Sequence, residues 1–299
     1  MASSIAAARY WPTWIGVGAM WVVARLPLRL QFSLGRLIGA LAYRFASGRR
    51  HIARVNVDLC FAELDAGARR DLVRRIFTST GIGAVETAIA WFGDLPRYRA
   101  RATIEGLDLL TAAQQRGRGV LLVGAHFSTL DLAGALLSAA TDLDVIYRYN
   151  KNPVIEHVMR RGRERRYRGV VERSDTRGVL TRLKEGHTVW YAADQDYGRK
   201  VSVFAPFFGV SAATITATAR FARFNSSAVL FISHFRNVDT LTWSLHLREI
   251  DADFPTGDDV EDARRINAVI EQEVGRHPDQ YLWLHRRFKT RPPGESRPY

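Results

Sequence analysis

A single cysteine, Cys60, stands in this chain of 299 residues. No internal disulfide and no cysteine-based zinc site can therefore form. Its setting, Val55-Asn-Val-Asp-Leu-Cys-Phe61, suits an inert buried thiol rather than a nucleophile. Neither H-E-x-x-H nor H-x-H spacing occurs, so metal chemistry has little support and no metal is expected. The chain lacks a G-x-S-x-G nucleophile elbow and a Walker sequence, and Gly81-Ile-Gly83 is too short for a dinucleotide fingerprint. RNP1-like, KH-like and zinc-finger patterns are absent, which leaves nucleic-acid binding resting on charge alone. No internal repeat or low-complexity tract is present, and no Ala-x-Ala-like cleavage site follows a compact apolar core. The longest uncharged apolar stretch near the start, Trp11 to Ala24, spans 14 residues and contains Pro12. That falls short of the roughly 20 residues that a spanning helix needs.

What is abundant is apolar surface and positive charge. The chain is 47% hydrophobic, enough for one sizeable core with an appendage. Lys and Arg number 43 against 30 Asp and Glu, a formal charge of +13. This balance points to anionic partners: nucleic acid, anionic lipid, a phosphorylated substrate or an acidic carrier protein. Arg25, Arg29, Arg36 and Arg44 would fall within an arc of about 100° on a helix. Trp11, Trp14, Trp21, Phe32 and Phe45 supply interfacial aromatics. A basic amphipathic segment of this kind can lie on, or dip into, an anionic membrane, with a break at Pro27. The alternative is a buried first helix of the globular domain. A soft boundary near Ser47-Gly48 divides an N-terminal segment, residues 1–47, from a domain over 48–299.

Strands alternating with helices predict an α/β fold: a central mixed, largely parallel sheet flanked by helices. Expected strands include 119–125, 143–147, 188–192, 228–235 and 240–247. Asp65 reads as an N-cap with a helix behind it over 66–78, interrupted at Gly81-Ile-Gly83 and resumed over 84–92. Residues 212–224, rich in small side chains, read as helix.

Chemistry concentrates behind the predicted strands, the edge where open α/β sheets bind ligands. His126-Phe-Ser-Thr-Leu-Asp131 follows the run Gly119-Val-Leu-Leu-Val-Gly-Ala125. Five residues turn a helix by about 500°, so His126 and Asp131 cannot share a helix face. Across a strand–loop–helix corner they can meet. A carboxylate would then hold the imidazole in one tautomer while the other nitrogen takes a proton from a hydroxyl. The alternative is a structural histidine near a helix-capping aspartate. Tyr147-Arg-Tyr-Asn-Lys-Asn-Pro153 and Asp194-Gln-Asp-Tyr-Gly-Arg-Lys200 follow two other strands. Arg160 to Arg166 is dense positive charge near a helix end, suited to gripping phosphate or simply to a solvated face. Asp196 with Lys200 reads as a local surface pair. Ala205-Pro-Phe-Phe-Gly209 suits either a hydrophobic groove or plain packing.

These blocks, with Arg49-Arg-His-Ile-Ala-Arg-Val-Asn56, Arg161-Gly-Arg163, Val203-Phe-Ala-Pro-Phe-Phe-Gly209 and Tyr281-Leu-Trp-Leu-His-Arg-Arg-Phe-Lys-Thr-Arg-Pro292, occur in an order that resembles the late acyltransferases of lipid A biosynthesis. The resemblance covers nearly the whole chain after the N-terminal segment. It implies an enzyme of the bacterial inner membrane, facing the cytoplasm, without a cofactor. Such enzymes move a fatty acyl group from acyl carrier protein to the 3-hydroxyl of a hydroxyacyl chain on a Kdo-bearing lipid A precursor. Carried over residue by residue, His126 is the general base and Asp131 its orienting partner, with Arg163 and Asp194 as further activity-linked residues. Many members carry Glu where this chain has Asp131. Arg163 is taken as the anion- or oxyanion-facing residue, with Asp194 its partner or an acceptor-positioning group; Arg148, Asn152, Arg161 and Gln195 are candidates for substrate binding. The acidic carrier, the lipid A precursor and an anionic membrane are the expected partners, and nucleic acid is not. Alternatives are acylation of another glycolipid, a phosphatidylinositol mannoside or an ornithine-type lipid, and a non-catalytic basic membrane- or nucleic-acid-binding protein.

Overall fold

The structure is a computed structural model and describes residues 5–251 and 253–299. Four helices come first: α1 (Trp11–Val23), α2 (Leu28–Phe45), α3 (Ser47–Cys60) and α4 (Ala66–Phe92). Then follow α5 (Leu95–Arg99), β1 (Ala102–Glu105), α6 (Leu107–Gln115), β2 (Val120–Gly124), α7 (Leu130–Ser138), β3 (Asp144–Tyr147) and α8 (Pro153–Glu164). The next elements are β4 (Gly169–Glu172), α9 (Thr176–Lys184), β5 (Thr188–Ala192), β6 (Ser202–Phe207) and β7 (Val210–Ile215). The chain closes with α10 (Ala217–Asn225), β8 (Ala228–Asn237), β9 (Thr242–Glu249) and α11 (Asp259–Arg276).

Seven strands form one sheet in the order β1-β9-β8-β2-β5-β3-β4. The five from β8 to β4 are mutually parallel, β9 runs against β8, and β1 is parallel to β9. The α/β class and the mixed, largely parallel sheet are as the sequence predicts. All five residues of β2 are buried, because both faces of the sheet are covered. Val120 and Leu122 join a core with α7, α8 and the second half of α4, while Leu121 and Val123 join one with α9, α10 and α11.

Two expected elements differ. Asp65 does cap α4, accepting from the Ala68 amide at 2.8 Å. But α4 runs unbroken for 27 residues through Gly81-Ile-Gly83. These glycines are sites of close approach rather than breaks. A Cβ on Gly81 would lie 2.2 Å from the Gly35 carbonyl oxygen of α2, and one on Gly83 would lie 2.4 Å from the Ser128 carbonyl oxygen. Burial in two interfaces thus outweighs the propensity cost of about 1 kcal/mol per glycine. Residues 212–224 are not one helix. Their first part is β7, paired antiparallel with β6 around a Phe208–Gly209 turn with positive φ at both residues. The Phe207 side chain is wholly buried against Tyr281, Trp283 and Phe288, so the apolar loop is core packing.

Pro27 separates α1 from α2, where a helix break was expected. α2 turns Leu28, Gln31, Phe32, Gly35 and Gly39 inward, spaced for one helix face against α4. Its other side leaves Leu30, Leu37, Ile38, Leu41 and Phe45 exposed, and α1 leaves Trp11, Ile15, Trp21 and Val22 exposed. Among the described residues, no helix is long and apolar enough to cross a membrane.

Candidate active site

The site is built at the C-terminal edge of the parallel strands. Gly124 of β2 is paired with Ala192 of β5. Two residues beyond that last ladder pair, on each strand, stand His126 and Asp194. The Asp194 carboxylate accepts from the His126 backbone amide at 2.9 Å and contacts its Nδ1 at 2.5 Å. A carboxylate can only accept, so Nδ1 carries a proton, and in the neutral ring Nε2 holds the lone pair. Nε2 makes no protein hydrogen bond among the described residues. Asp194 is buried, and the Tyr281 hydroxyl gives it a further hydrogen bond.

The expected His126–Asp131 bond is not formed. Asp131, in the first turn of α7, accepts instead from Arg163 Nη2 at 2.9 Å and from the Thr87 hydroxyl at 3.1 Å. The short Asp side chain is spent on the cation across the cleft, and the level strand ends deliver Asp194 to the imidazole. Arg163 and Asp194, expected as partners, belong to two separate pairs. Asp131 still acts on His126 through its charge.

Burial opposes charging of the His126 imidazole, yet the Asp194 carboxylate, its hydrogen bond and Asp131 outweigh burial, and the His126 pKa is raised. Burial likewise works against the Asp194 carboxylate, but the His126 imidazole and amide hold its pKa far below the usual range. Asp131 keeps Arg163 firmly cationic despite its burial.

His126, Leu130, Asp131, Arg163, Tyr167 and Trp190 line a narrow cleft of about 70 Å³. A larger cavity of about 680 Å³ lies at the opposite edge of the sheet, between the starts of β2 and β8. It has no base–carboxylate pair, so chemistry and not size selects the smaller cleft. The loop carrying His126 is fixed by the C-terminal segment. Phe127 forms a β-bridge with Tyr281, the Ser128 amide donates to the Gln280 carbonyl at 2.7 Å, and the Leu282 amide donates to the His126 carbonyl at 3.0 Å. The buried Arg236 ties the Ser128 hydroxyl to Glu86 of α4.

The remaining candidates separate. Arg148 is exposed behind β3, Arg161 is exposed on α8, and Gln195 is half-buried beside Asp194. Asn152 caps α8 through the amides of Val154 and Ile155 and reaches Thr13 of α1, so its amide is occupied structurally. Asp196 is not a surface partner of Lys200. It is buried, bound by the Thr290 amide and hydroxyl, with Lys289 at 4.0 Å. Thr87 lies in the middle of α4 with nothing in the local sequence to mark it. His234 has one signal in the sequence, a lone histidine inside an apolar strand.

A histidine whose Nε2 makes no hydrogen bond among the described residues, backed by a buried carboxylate and faced by an arginine at the carboxyl edge of a parallel sheet, is an arrangement that can accept a proton from a bound group. The whole chain narrows this chemistry. Residues 1–290 match the family model described as bacterial lipid A biosynthesis acyltransferase, and the chain belongs to that family. It is 42% identical over 292 residues to a lipid A biosynthesis palmitoleoyltransferase of Escherichia coli (strain K12), covering 97% of this chain and 95% of the relative. A lauroyltransferase of lipid A biosynthesis from the same organism is 38% identical over 96% of this chain and 94% of its own length. A myristoyltransferase is 27% identical over 97% and 91%. The protein is an acyltransferase of the lipid A type.

Proposed function

We propose that the chain transfers a fatty acyl group from acyl carrier protein to the 3-hydroxyl of a hydroxyacyl chain on a Kdo-bearing lipid A precursor. The observation that carries this reading is the His126–Asp194 pair, with Nε2 unengaged in a cleft that also holds Arg163. His126 Nε2 removes the hydroxyl proton as the oxygen attacks the thioester carbonyl. The oxyanion forms beside the Arg163 guanidinium, which Asp131 holds in place. The thiolate then leaves and takes the proton from the imidazolium, giving ester and free carrier thiol without a covalent enzyme intermediate. Arg148, Arg161 and Gln195 are assigned to the anionic acceptor.

The first 57 residues contain eight arginines and no acidic residue. Together with the exposed apolar side chains of α1 and α2, this supports in-plane docking of residues 1–47 on the anionic cytoplasmic face of the inner membrane. The test supplies purified full-length protein with acyl carrier protein thioester and the Kdo-bearing precursor. Mass spectrometry should show the acceptor gaining one acyl chain as free thiol is released. Thiol at background would return the chain to a binding role, and transfer only to other glycolipids would replace the acceptor.

A further inference from the structure

His126 has a second neighbour at its own level. β2 also pairs with β8, Gly124 opposite Ile232. Two residues further on, His234 therefore stands level with His126 on the side away from Asp194. His234 is wholly buried and makes no hydrogen bond to His126. Its Nδ1 lies 2.6 Å from the Thr129 hydroxyl oxygen, and that hydroxyl lies 3.0 Å from the His234 carbonyl oxygen.

A hydroxyl has one proton to give. Donated to the His234 carbonyl, it leaves the Thr129 oxygen to accept from Nδ1–H, and His234 Nε2 is then a bare, buried acceptor with no partner among the described residues. Thr129 occupies the N-cap of α7, yet its side chain makes no cap hydrogen bond. A residue of the type that ordinarily caps its own helix is committed to the neighbouring strand instead. His234 also meets the Phe127 ring edge-on at 5.4 Å and the Trp190 ring at 5.7 Å. It thus touches the His126–Asp131 loop twice. A buried acceptor without a partner is costly where an apolar side chain would fill the space, a compromise expected at functional sites.

We propose that Thr129 and His234 form a positioning couple that holds the His126–Asp131 loop in register, so that His126 meets Asp194 while Asp131 meets Arg163. Burial, with His126 and Arg236 adding repulsion, lowers the His234 pKa to about 3, so His234 stays neutral. The imidazolium of the turnover is then confined to His126. The proposal rests on His126 serving as the base.

The couple is tested in full-length protein by steady-state acyl transfer and by NMR titration of the His126 ring. The charged and titratable groups around His126 are Asp194, Asp131, Arg163, Tyr167, Tyr281, His234 and His285. Thr129→Val removes both hydrogen bonds at constant shape. It should lower kcat by roughly 10- to 100-fold with KM little changed, as a small misplacement of a catalytic group does. The His126 midpoint should also move down as its bond to Asp194 loosens. Thr129→Ser keeps the hydroxyl and should stay close to wild type. A folded Thr129→Val protein with wild-type kcat and an unmoved midpoint, or a serine variant as impaired as the valine one, overturns the proposal. If the valine variant does not fold, Thr129→Ala makes the same comparison without placing a methyl group against the His234 nitrogen and carbonyl. Absence of acyl transfer in the wild type would remove the proposed function instead, and the NMR midpoint would still decide the couple.

Discussion

His126 and Asp194 stand level on neighbouring parallel strands, each two residues past the pair Gly124–Ala192. The carboxylate that orients the imidazole is therefore 68 positions away in the chain, while the one five positions away serves Arg163. This division of labour sets an order of severity for substitutions.

His126→Ala should lose activity by about 10²-fold or more while keeping its fold, since a base contributes rate rather than packing. Asp194→Asn should come close to it, because the amide can present its NH₂ to Nδ1 and favour the wrong tautomer. Asp131→Asn should be milder toward His126 and should act through Arg163. Arg163→Lys keeps charge but loses the planar fork, and should still impair transfer. Acyl transfer rates with circular dichroism as the fold control check this. Asp131→Asn abolishing turnover while Asp194→Asn leaves it intact would restore Asp131 as the orienting residue.

The pH dependence follows from the same pair. The base must be neutral, and its pKa is raised above the ordinary 6.5. The acid limb of kcat/KM should therefore have its midpoint above 6.5, and Asp194→Asn should shift it downward. Stability has its own signs. The raised His126 pKa contributes fully below 6.5, and that contribution fades as pH rises through the folded value. The depressed Asp194 pKa contributes above its ordinary 3.8 and is lost only on strong acidification. Between 3.8 and 6.5 both operate. A plot of Tm against pH should show wild type gaining most over Asp194→Asn in that window, and a flat difference would contradict the coupling.

Much of this was legible from the chain, though not the pairing. The runs 119–125 and 188–192 betrayed buried strands, and polar residues just beyond them marked the edge that binds ligands. Nothing in either run says that β5 lies beside β2 while β3, next in the chain, lies beyond it. The sequence alone therefore points to the local carboxylate, Asp131, and not to the distant Asp194. β1 and β4, of four residues each, are too short to show periodicity. Gly81 and Gly83 look like a break in the sequence alone, because their partners, Gly35 and Ser128, are remote in the chain. Residues 212–215 open on two alanines and run without a break into the alanine-rich stretch of α10, and pairing with β6 makes them a strand.

The glycine contacts give a stability test. Gly81→Ala would force its Cβ to 2.2 Å from the Gly35 carbonyl oxygen, with the backbone of Gly39 almost as near. Overpacking of this kind costs about 1–3 kcal/mol, offset by about 1 kcal/mol of helix propensity. Gly18→Ala on α1 meets nothing within 4 Å and should be neutral or stabilising. Thermal melts compare the two, and equal melting temperatures would deny that α2 and α4 pack backbone to backbone.

Membrane docking by α1 and α2 predicts a mixed response to salt. Apolar contact should survive about 1 M salt, where surface charges act over only about 3 Å. Leu37→Glu with Leu41→Glu places charge on exposed positions and should move the protein to the soluble fraction without unfolding it. Complete release of the unaltered protein by salt would assign the attachment to its arginines alone.

The tight seam of Gly35 and Gly39 against Gly81 has a geometric consequence. α4 carries that seam and, within the next two turns, Gly83 against the Ser128 carbonyl and Thr87 on Asp131. The apolar outer faces of α1 and α2 are therefore joined to the cleft through one stiff rod. On a lipid surface the reacting atoms would sit at a constant height. The enzyme would then meet its acceptor by a search in two dimensions, with depth already settled by the fold.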